Sequence, residues 1–455
     1  VILPPSFMRG LASKIGEEAF DQLVEALSQP PTTSIRIQPT KYHEHHEPSA
    51  KVPWCPLGIY LNERPIFTLD PSFHAGCYYV QEASSMFLWH VLESLQLKDK
   101  STVRILDLSA APGGKSTLLL SWLNGDGMLC ANEVIKNRAY TLRYNISKEG
   151  YDNVIVTNND PADFKHLENF FDIILVDAPC SGEGMFRKDP NAIHEWSEDN
   201  VDLCSSRQKR IVSDIIPLLK PEGHLIYSTC TFNDHENIDN VHWMANRYNL
   251  DSCKVVIEKE WDIVEERKDN VFGYQFYPHK IRGEGFFIAV LQNNKPETIN
   301  SHHQRKGNKS MMKAEKKVTA LAADWISPTS GQYMIDKGQN IHFIPSHMVE
   351  FAEMIDSGLR IIYCGLTIGT LNKTIIIPDH ALAFYSFLTP SINKADLNKE
   401  QALKFLKKDL SEVDTLHKGW VLATYQGYGI GWFKNLGNRI NNYLPNEHRI
   451  LMKID

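Results

Sequence analysis

"VRILDLSAAPGGKST", residues 103–117, opens as an apolar run and ends as a helix start, with small residues and two glycines between. Four more runs of the same kind follow: "GMLCANEV" (127–134), "NVIVTNND" (153–160), "FDIILVDAP" (171–179) and "HLIYSTC" (224–230). Helix-like stretches at 114–124, 136–148, 205–219 and 235–247 separate them. Alternation of near-continuous apolar strands with helices predicts an α/β fold, a doubly wound and mostly parallel sheet covered on both faces. Such a sheet binds ligands at the carboxyl ends of its strands. Asp107 to Lys115, Glu133, Asp160, Asp177 to Cys180, and Cys230 all fall at those ends. "VFGYQFYP" (271–278) and "GEGFFIAVL" (283–291) read as late strands on an antiparallel edge.

The flanks differ. Residues 1–95 mix short strands with one helical pattern at Phe20, Leu23, Val24 and Leu27, and read as an α+β extension. Residues 96–292 hold the sheet, and 293–318 form a polar, basic linker almost free of apolar residues. Beyond it, 319–455 predicts a helix near 345–356, strands in "GLRIIYCGLTIG" (358–369) and "KTIIIP" (373–378), and a charged helix at 398–408. "GWVLATYQGYGIGWFKN" (419–435) suits a small β-sheet or barrel that touches RNA, or equally an ordinary β-core with glycine turns.

A chain of 455 residues, 42% hydrophobic and 23% charged, fits a globular protein of several domains. No apolar run reaches the roughly 18–20 residues that cross a bilayer. The N-terminus lacks a basic region ahead of its apolar residues, unlike a signal peptide. Eight scattered cysteines without a CxxC argue against a disulfide framework and a zinc site, and point to a reducing cytoplasm. "HEHHE" (43–47) reads as a solvated loop rather than a metal site. The net charge of −7 is uneven: Lys and Arg outnumber Asp and Glu 20 to 15 from Asn294 onward, against 28 to 40 before it. The C-terminal third is therefore the better candidate for nucleic-acid contact.

The loop after the first strand has three readings. A dinucleotide fingerprint requires GxGxxG, which is missing. A P-loop ATPase requires Gly, four residues, then Gly-Lys-Ser; Gly114, Lys115 and Ser116 comply, but Ser109 holds the first glycine's place. S-adenosylmethionine requires a tight turn for its amino-acid tail and an acid for its ribose. Ser109, Ala110, Ala111, Pro112, Gly113, Gly114 and Lys115 offer the turn and Glu133 the acid, with Asp160 for the adenine amino group. An ATPase has no use for either acid, so S-adenosylmethionine is the expected cofactor.

Cys180 and Cys230 stand apart from the other six cysteines, which read as core residues. Carbon 5 of cytosine is a weak nucleophile. A thiolate adding to carbon 6 activates it, and covalent catalysis splits one hard step into two easier ones. A neighbouring acid, here Asp177, would steady nitrogen 3 of the ring. A second thiol would assist elimination.

"DLSAAPGGKST", "NEVIKNRAYTLRYNI", "FDIILVDAPCSGEGMFRKDP" and "LIYSTCTFNDHENIDNV" together resemble the RsmF/Sun (Fmu) family of RNA (cytosine-5) methyltransferases. "HAGCYYVQEASSM" and "LPPSFMRGL" with "PPTTSIRIQPTK" resemble its RsmF branch, which acts on 16S ribosomal RNA. The resemblance implies Cys230 as nucleophile and Cys180 in product release. A Pro-Cys cysteine attacks in the DNA enzymes, so the bare residues leave that order open. It implies cofactor contacts from Ser109 to Lys115 and at Glu133, Asp160 and Asp177. Lys115, Arg187 and Lys188 are expected to face RNA, and a surface salt bridge accounts for Arg187 and Lys188 equally well. It also implies RNA binding by the N-terminal extension and by a PUA-like C-terminal region. Ribosomal RNA or the small ribosomal subunit is the expected partner, with no metal and no membrane, and a monomer suffices. Ser109 departs from many relatives, which carry Cys there. A P-loop ATPase and a non-catalytic RNA-binding assembly factor remain the rivals.

Overall fold

A computed structural model of the chain describes residues 3–41, 48–295, 310–327, 329–410, 413 and 417–453. Its centre is a ten-stranded sheet. The strands are β1 (Arg104–Asp107), β2 (Met128–Asn132), β3 (Val154–Thr157), β4 (Phe171–Asp177), β5 (Leu219–Thr229), β6 (Leu250–Ser252), β7 (Val264–Lys268), β8 (Val271–Phe276), β9 (Phe286–Asn293) and β10 (Ile361–Cys364). The order is β7-β8-β9-β5-β4-β1-β2-β3-β10, with β6 pairing β9. Strands β5, β4, β1, β2 and β3 run parallel, and the outer ones antiparallel. The chain steps from β1 outward to β3, then returns to the other side of β1 as β4. The loops after β1 and β4 therefore part in opposite directions and open a crevice at their carboxyl ends.

Alternate residues of each strand serve opposite faces. Ile105, Leu129, Val156 and Leu175 pack with the helices α1 (Gly114–Leu123) and α2 (Lys136–Glu149). Leu106, Ile155, Val176 and Leu225 pack with α3 (Glu198–Ile215) and α4 (Ile238–Tyr248). Burying such a side chain is worth about 1.5–3 kcal/mol, which is why both halves of each strand are apolar. Helix α3 begins seven residues before its expected start. Ser197 caps it, accepting from the Asn200 N–H at 3.1 Å, and Glu198 and Asp199 suit its positive end. Cys55, Cys77, Cys130, Cys204 and Cys364 are buried, and Cys253 partly so.

The N-terminal region opens with two helices, Pro5–Ile15 and Glu17–Ser28, where one was expected, and adds the shorter helices Pro71–His74 and Phe87–Ser94 and a four-stranded antiparallel sheet. Phe7, Leu11, Phe20 and Leu23 of the helices form one cluster with Phe186 and Phe232, the residues just beyond the two thiol-bearing loops. Arg36, 1% exposed, ties the sheet to α1 by donating to Gln81, Thr117 and Ser121.

The C-terminal region forms a five-stranded and a four-stranded sheet. Residues 419–435 make the hairpin Gly419–Tyr425/Tyr428–Asn435, and the charged helix spans Lys399–Lys407. "GLRIIYCGLTIG" reads as one strand but is split at Gly365. Its first half is β10, paired with β3 at the edge of the central sheet; its second half, Leu366–Asn372, enters the five-stranded sheet. Gly365 turns at φ +58°, and a β-carbon there would collide with the Phe343 carbonyl oxygen. Gly365→Ala is expected to cost about 2 kcal/mol or more, measured by denaturant unfolding; an unchanged midpoint would refute the strain argument. Residues 310–318, expected within the linker, carry the strand Met311–Lys313 and the start of the helix Lys316–Ala323. Residues 296–309 and the "HEHHE" cluster lie outside the described residues. Among the described residues no helix is long and apolar enough to cross a membrane.

Candidate active site

Both thiols sit where parallel strands end. Cys180 follows β4 by three residues and Cys230 follows β5 directly. Because β4 and β5 are paired in register, Asp177 beside Ser228, the two cysteines meet across the crevice. Their sulfurs are 3.1 Å apart, both free, well beyond the disulfide length of about 2.05 Å. The Cys230 N–H donates to the Cys180 sulfur at 3.3 Å. The Cys180 thiol is held well above its ordinary range by its hydrogen bond to Cys230, then by burial and by the charges of Cys230 and Glu236. Cys180 therefore favours its protonated form, and a hydrogen bond joins the two sulfurs.

Lys115 lies beside them. Its ammonium reaches Asp177 Oδ2 at 2.8 Å and stands 5.1 Å from the Phe286 ring centre. Burial pulls its pKa down, but Asp177, Asp107 and Cys230 together hold it above the usual lysine value. Asp177 Oδ1 accepts from Ser228 Oγ at 2.8 Å, so the carboxylate is oriented from two sides.

The loop between β1 and α1 has the form that a methyl donor's amino-acid tail requires. Gly113 turns at φ +121°, which favours glycine. Arg138 and Asn145 of α2 donate to the Ala111 and Pro112 carbonyls at 2.8 Å and brace the loop from outside. Ala110 donates to the Asn132 carbonyl at 2.8 Å. Beneath the loop, Asp107 is fully buried and pushed up to about 7, chiefly by burial. Its Oδ2 accepts from Ser116 at 2.6 Å, and its Oδ1 has no partner among the described residues. An orphaned acceptor under a small-residue loop suits a ligand ammonium. Glu133, 3% exposed, accepts from the Ile135 N–H at 2.9 Å and faces Arg138 at 3.5 Å. These residues fit S-adenosylmethionine. Asp160 is exposed and caps the turn Pro161–His166, accepting from the Ala162 N–H at 3.1 Å.

Arg187 does not present itself to solvent. Its side chain is 6% exposed and pairs with Glu284 at 2.8 Å while donating to the Gly283 carbonyl. Lys188, 30% exposed, lies 3.5 Å from the same carboxylate.

Sequence reasoning assigned no role to Glu183, Asn233 and Glu236, which hold the two thiol loops together. Glu236 accepts from the Ser181 N–H at 3.0 Å, from Gln208 at 2.8 Å and from Asn233 at 2.8 Å. Glu183 accepts from the Phe232 and Asn233 N–H groups and from Trp196. Each carboxylate thus crosses from one thiol loop to the other. Three polar residues within six positions of a strand-end cysteine were the available signal. Glu236→Gln is expected to lower the pH at which Cys180 ionises, because the carboxylate's charge raises that thiol. The rate of Cys180 alkylation against pH reads this out, and an unmoved curve would remove Glu236 from the account.

Three family models match: "16S rRNA methyltransferase RsmB/F" over residues 93–292, "N-terminal domain of 16S rRNA methyltransferase RsmF" over 3–83, and "Methyltransferase RsmF PUA domain" over 392–450. The chain is 30% identical to the ribosomal RNA small subunit methyltransferase F of Aliivibrio fischeri (strain MJ11), covering 98% of each chain. It is 28% identical to that of Vibrio vulnificus (strain YJ016), again over 98% of each. A solved methyltransferase homolog protein from Pyrococcus horikoshii is 28% identical, with a TM-score of 0.52 over 64% of this chain and 100% of that one. The NSun6 structure from the same organism, solved with SFG, shares the fold at 21% identity and a TM-score of 0.53, covering 64% of this chain and 99% of its own.

Proposed function

The chain belongs to the ribosomal RNA small subunit methyltransferase F family, and on that premise we propose that it methylates carbon 5 of a cytosine in 16S ribosomal RNA through a covalent bond to Cys230. The observation that carries this reading is the pair of free thiols 3.1 Å apart beside the Lys115–Asp177 pair. S-adenosylmethionine, held by Ser109 to Lys115 with Glu133, Asp160 and Asp177, supplies an electrophilic methyl group.

Cys230 adds as the thiolate to carbon 6 of a cytosine turned out of its stack. Its sulfur gains a bond to carbon and the ring's electrons shift toward carbon 5, to which the donor held by the loop would supply its methyl group, its own carbon–sulfur bond breaking and the electron pair staying on the donor's sulfur. Lys115, with a partner that fixes its direction, stabilises the thiolate before the addition and the electron-rich ring after it. Bonded to carbon, the Cys230 sulfur carries no negative charge and no longer draws the Cys180 proton. The first cause that holds the Cys180 thiol high is then gone, and Cys180 gives its own proton to solvent more easily at the stage that needs a base. It takes the carbon 5 proton, the carbon–sulfur bond breaks, and Cys230 leaves as thiolate. Every residue of the site comes from one chain, so a monomer suffices, and free thiols suit the reducing cytoplasm.

The test is incubation with transcribed 16S RNA and S-adenosylmethionine labelled in its methyl group, followed by digestion to nucleosides. Label in 5-methylcytidine is the expected result. Label in another nucleoside, or Mg²⁺-dependent ATP hydrolysis without methyl transfer, would overturn the proposal.

A further inference from the structure

A second cleft, of about 550 Å³, lies on the outer side of the methyl-donor loop. The N-terminal region lines it with Arg64, Ile66, Phe73 and Tyr79, and α2 adds Asn145. Two of these walls belong to the donor loop's own support. A β-carbon on Gly114 would touch the Tyr79 ring at 3.5 Å, and Gly114 precedes Lys115. Asn145 holds the Pro112 carbonyl at 2.8 Å. The cleft is therefore continuous with the loop that carries the active-site ammonium.

Its chemistry is uneven in a useful way. Tyr79 and Phe73 are half-buried and present ring surface, and the Tyr79 hydroxyl has no hydrogen-bond partner among the described residues. At the rim Ile66 is 59% exposed. Arg64 is exposed and has no carboxylate partner among the described residues; its guanidinium stands over the Phe67 ring at 5.4 Å. Aromatic walls with an unpaired cation at the mouth match a nucleobase carrying a phosphate. The volume lies in the range that encloses small organic groups.

We propose that this cleft binds one unpaired nucleotide of the RNA strand next to the target cytosine, its base against Tyr79 and Phe73 and its phosphate at Arg64. The inference rests on the reading of the protein as an RNA methyltransferase. Turning the target base out of its stack leaves a neighbouring base with a bare face, and a stacking slot beside the donor loop repays that loss. The cleft is thus a positioning site for substrate, separate from the thiols.

The probe is transcribed 16S RNA carrying 4-thiouridine, cross-linked by light to the full-length protein and mapped by mass spectrometry. Methyl-transfer kinetics of wild type, Arg64→Glu and Tyr79→Phe accompany it. Cross-links within residues 64–80 are expected. Arg64→Glu should raise KM for RNA about tenfold, the scale of one lost nucleotide contact, with kcat within about threefold. Tyr79→Phe, which keeps the ring, should change KM less, and affinity for S-adenosylmethionine should stay unchanged in both variants. Active wild type with no cross-link in 64–80, together with an unchanged KM in Arg64→Glu, would overturn the proposal. Cross-links at the cleft from a wild-type protein that transfers no methyl group would instead sink the catalytic reading and leave the cleft as an RNA site.

Discussion

Cys180→Ala is expected to arrest the protein as a covalent complex with its RNA, and Cys230→Ala to yield neither complex nor methylated product. The asymmetry follows from the two sulfurs' surroundings. Cys230 lies within reach of the Lys115 ammonium, whereas its hydrogen bond to Cys230 and its burial hold the Cys180 thiol well above the ordinary range. Removing Cys180 leaves a competent nucleophile, so the carbon–sulfur bond still forms, but nothing beside it removes the carbon 5 proton. Removing Cys230 eliminates the nucleophile, and loss of covalent catalysis of this kind costs at least about 10³-fold. A denaturing gel separates the outcomes: the complex migrates as a protein–RNA band that survives sodium dodecyl sulfate. The reverse pattern, complex with Cys230→Ala and none with Cys180→Ala, would exchange the two roles. Methyl transfer surviving in Cys230→Ala would end the assignment of Cys230 as the nucleophile.

Lys115→Met should lower kcat by about 10²- to 10⁴-fold while the protein remains folded. Methionine preserves the length of the buried stem and removes the ammonium. Two losses coincide. Asp177 keeps its bond from Ser228 but loses its cation, leaving an uncompensated charge against the ring site. Cys230 loses the positive charge that favours its thiolate, an interaction that is mutual because the Cys230 charge is among the causes that hold Lys115 high. The covalent complex with RNA should therefore form more slowly as well. A kcat within about threefold of wild type would remove Lys115 from the chemistry. Calorimetric titration with S-adenosylmethionine separates a loss of donor binding from a loss of chemistry, since Lys115 belongs to the donor loop.

The central sheet was legible because burial on both faces forces unbroken apolar runs, and the carboxyl ends of those runs carry the residues proposed for the site. Asp177, Cys180, Cys230 and Lys115 could be singled out on that ground alone. Glu183, Asn233 and Glu236 could not. They are polar residues in loops, and only the approach of two loops some 50 positions apart gives them shared partners. Arg187 went the other way. The sequence left it open between an RNA contact and a surface salt bridge, and Glu284, 97 positions on, pairs with it in the interior. The split of "GLRIIYCGLTIG" at Gly365 was hidden for the same reason, since each half satisfies a strand pattern and their separate sheets are set by partners elsewhere.

Local pattern alone determined which segments are strands and helices in the parallel sheet, and which residue types end those strands, because periodicity and apolar content depend on near neighbours. Tertiary structure alone decided that the two sulfurs meet, which carboxylates bind their loops together, and that an aromatic cleft adjoins the donor loop. Those arrangements depend on distances of a few ångströms between residues remote in the chain, and such distances are set by how sheets and helices pack.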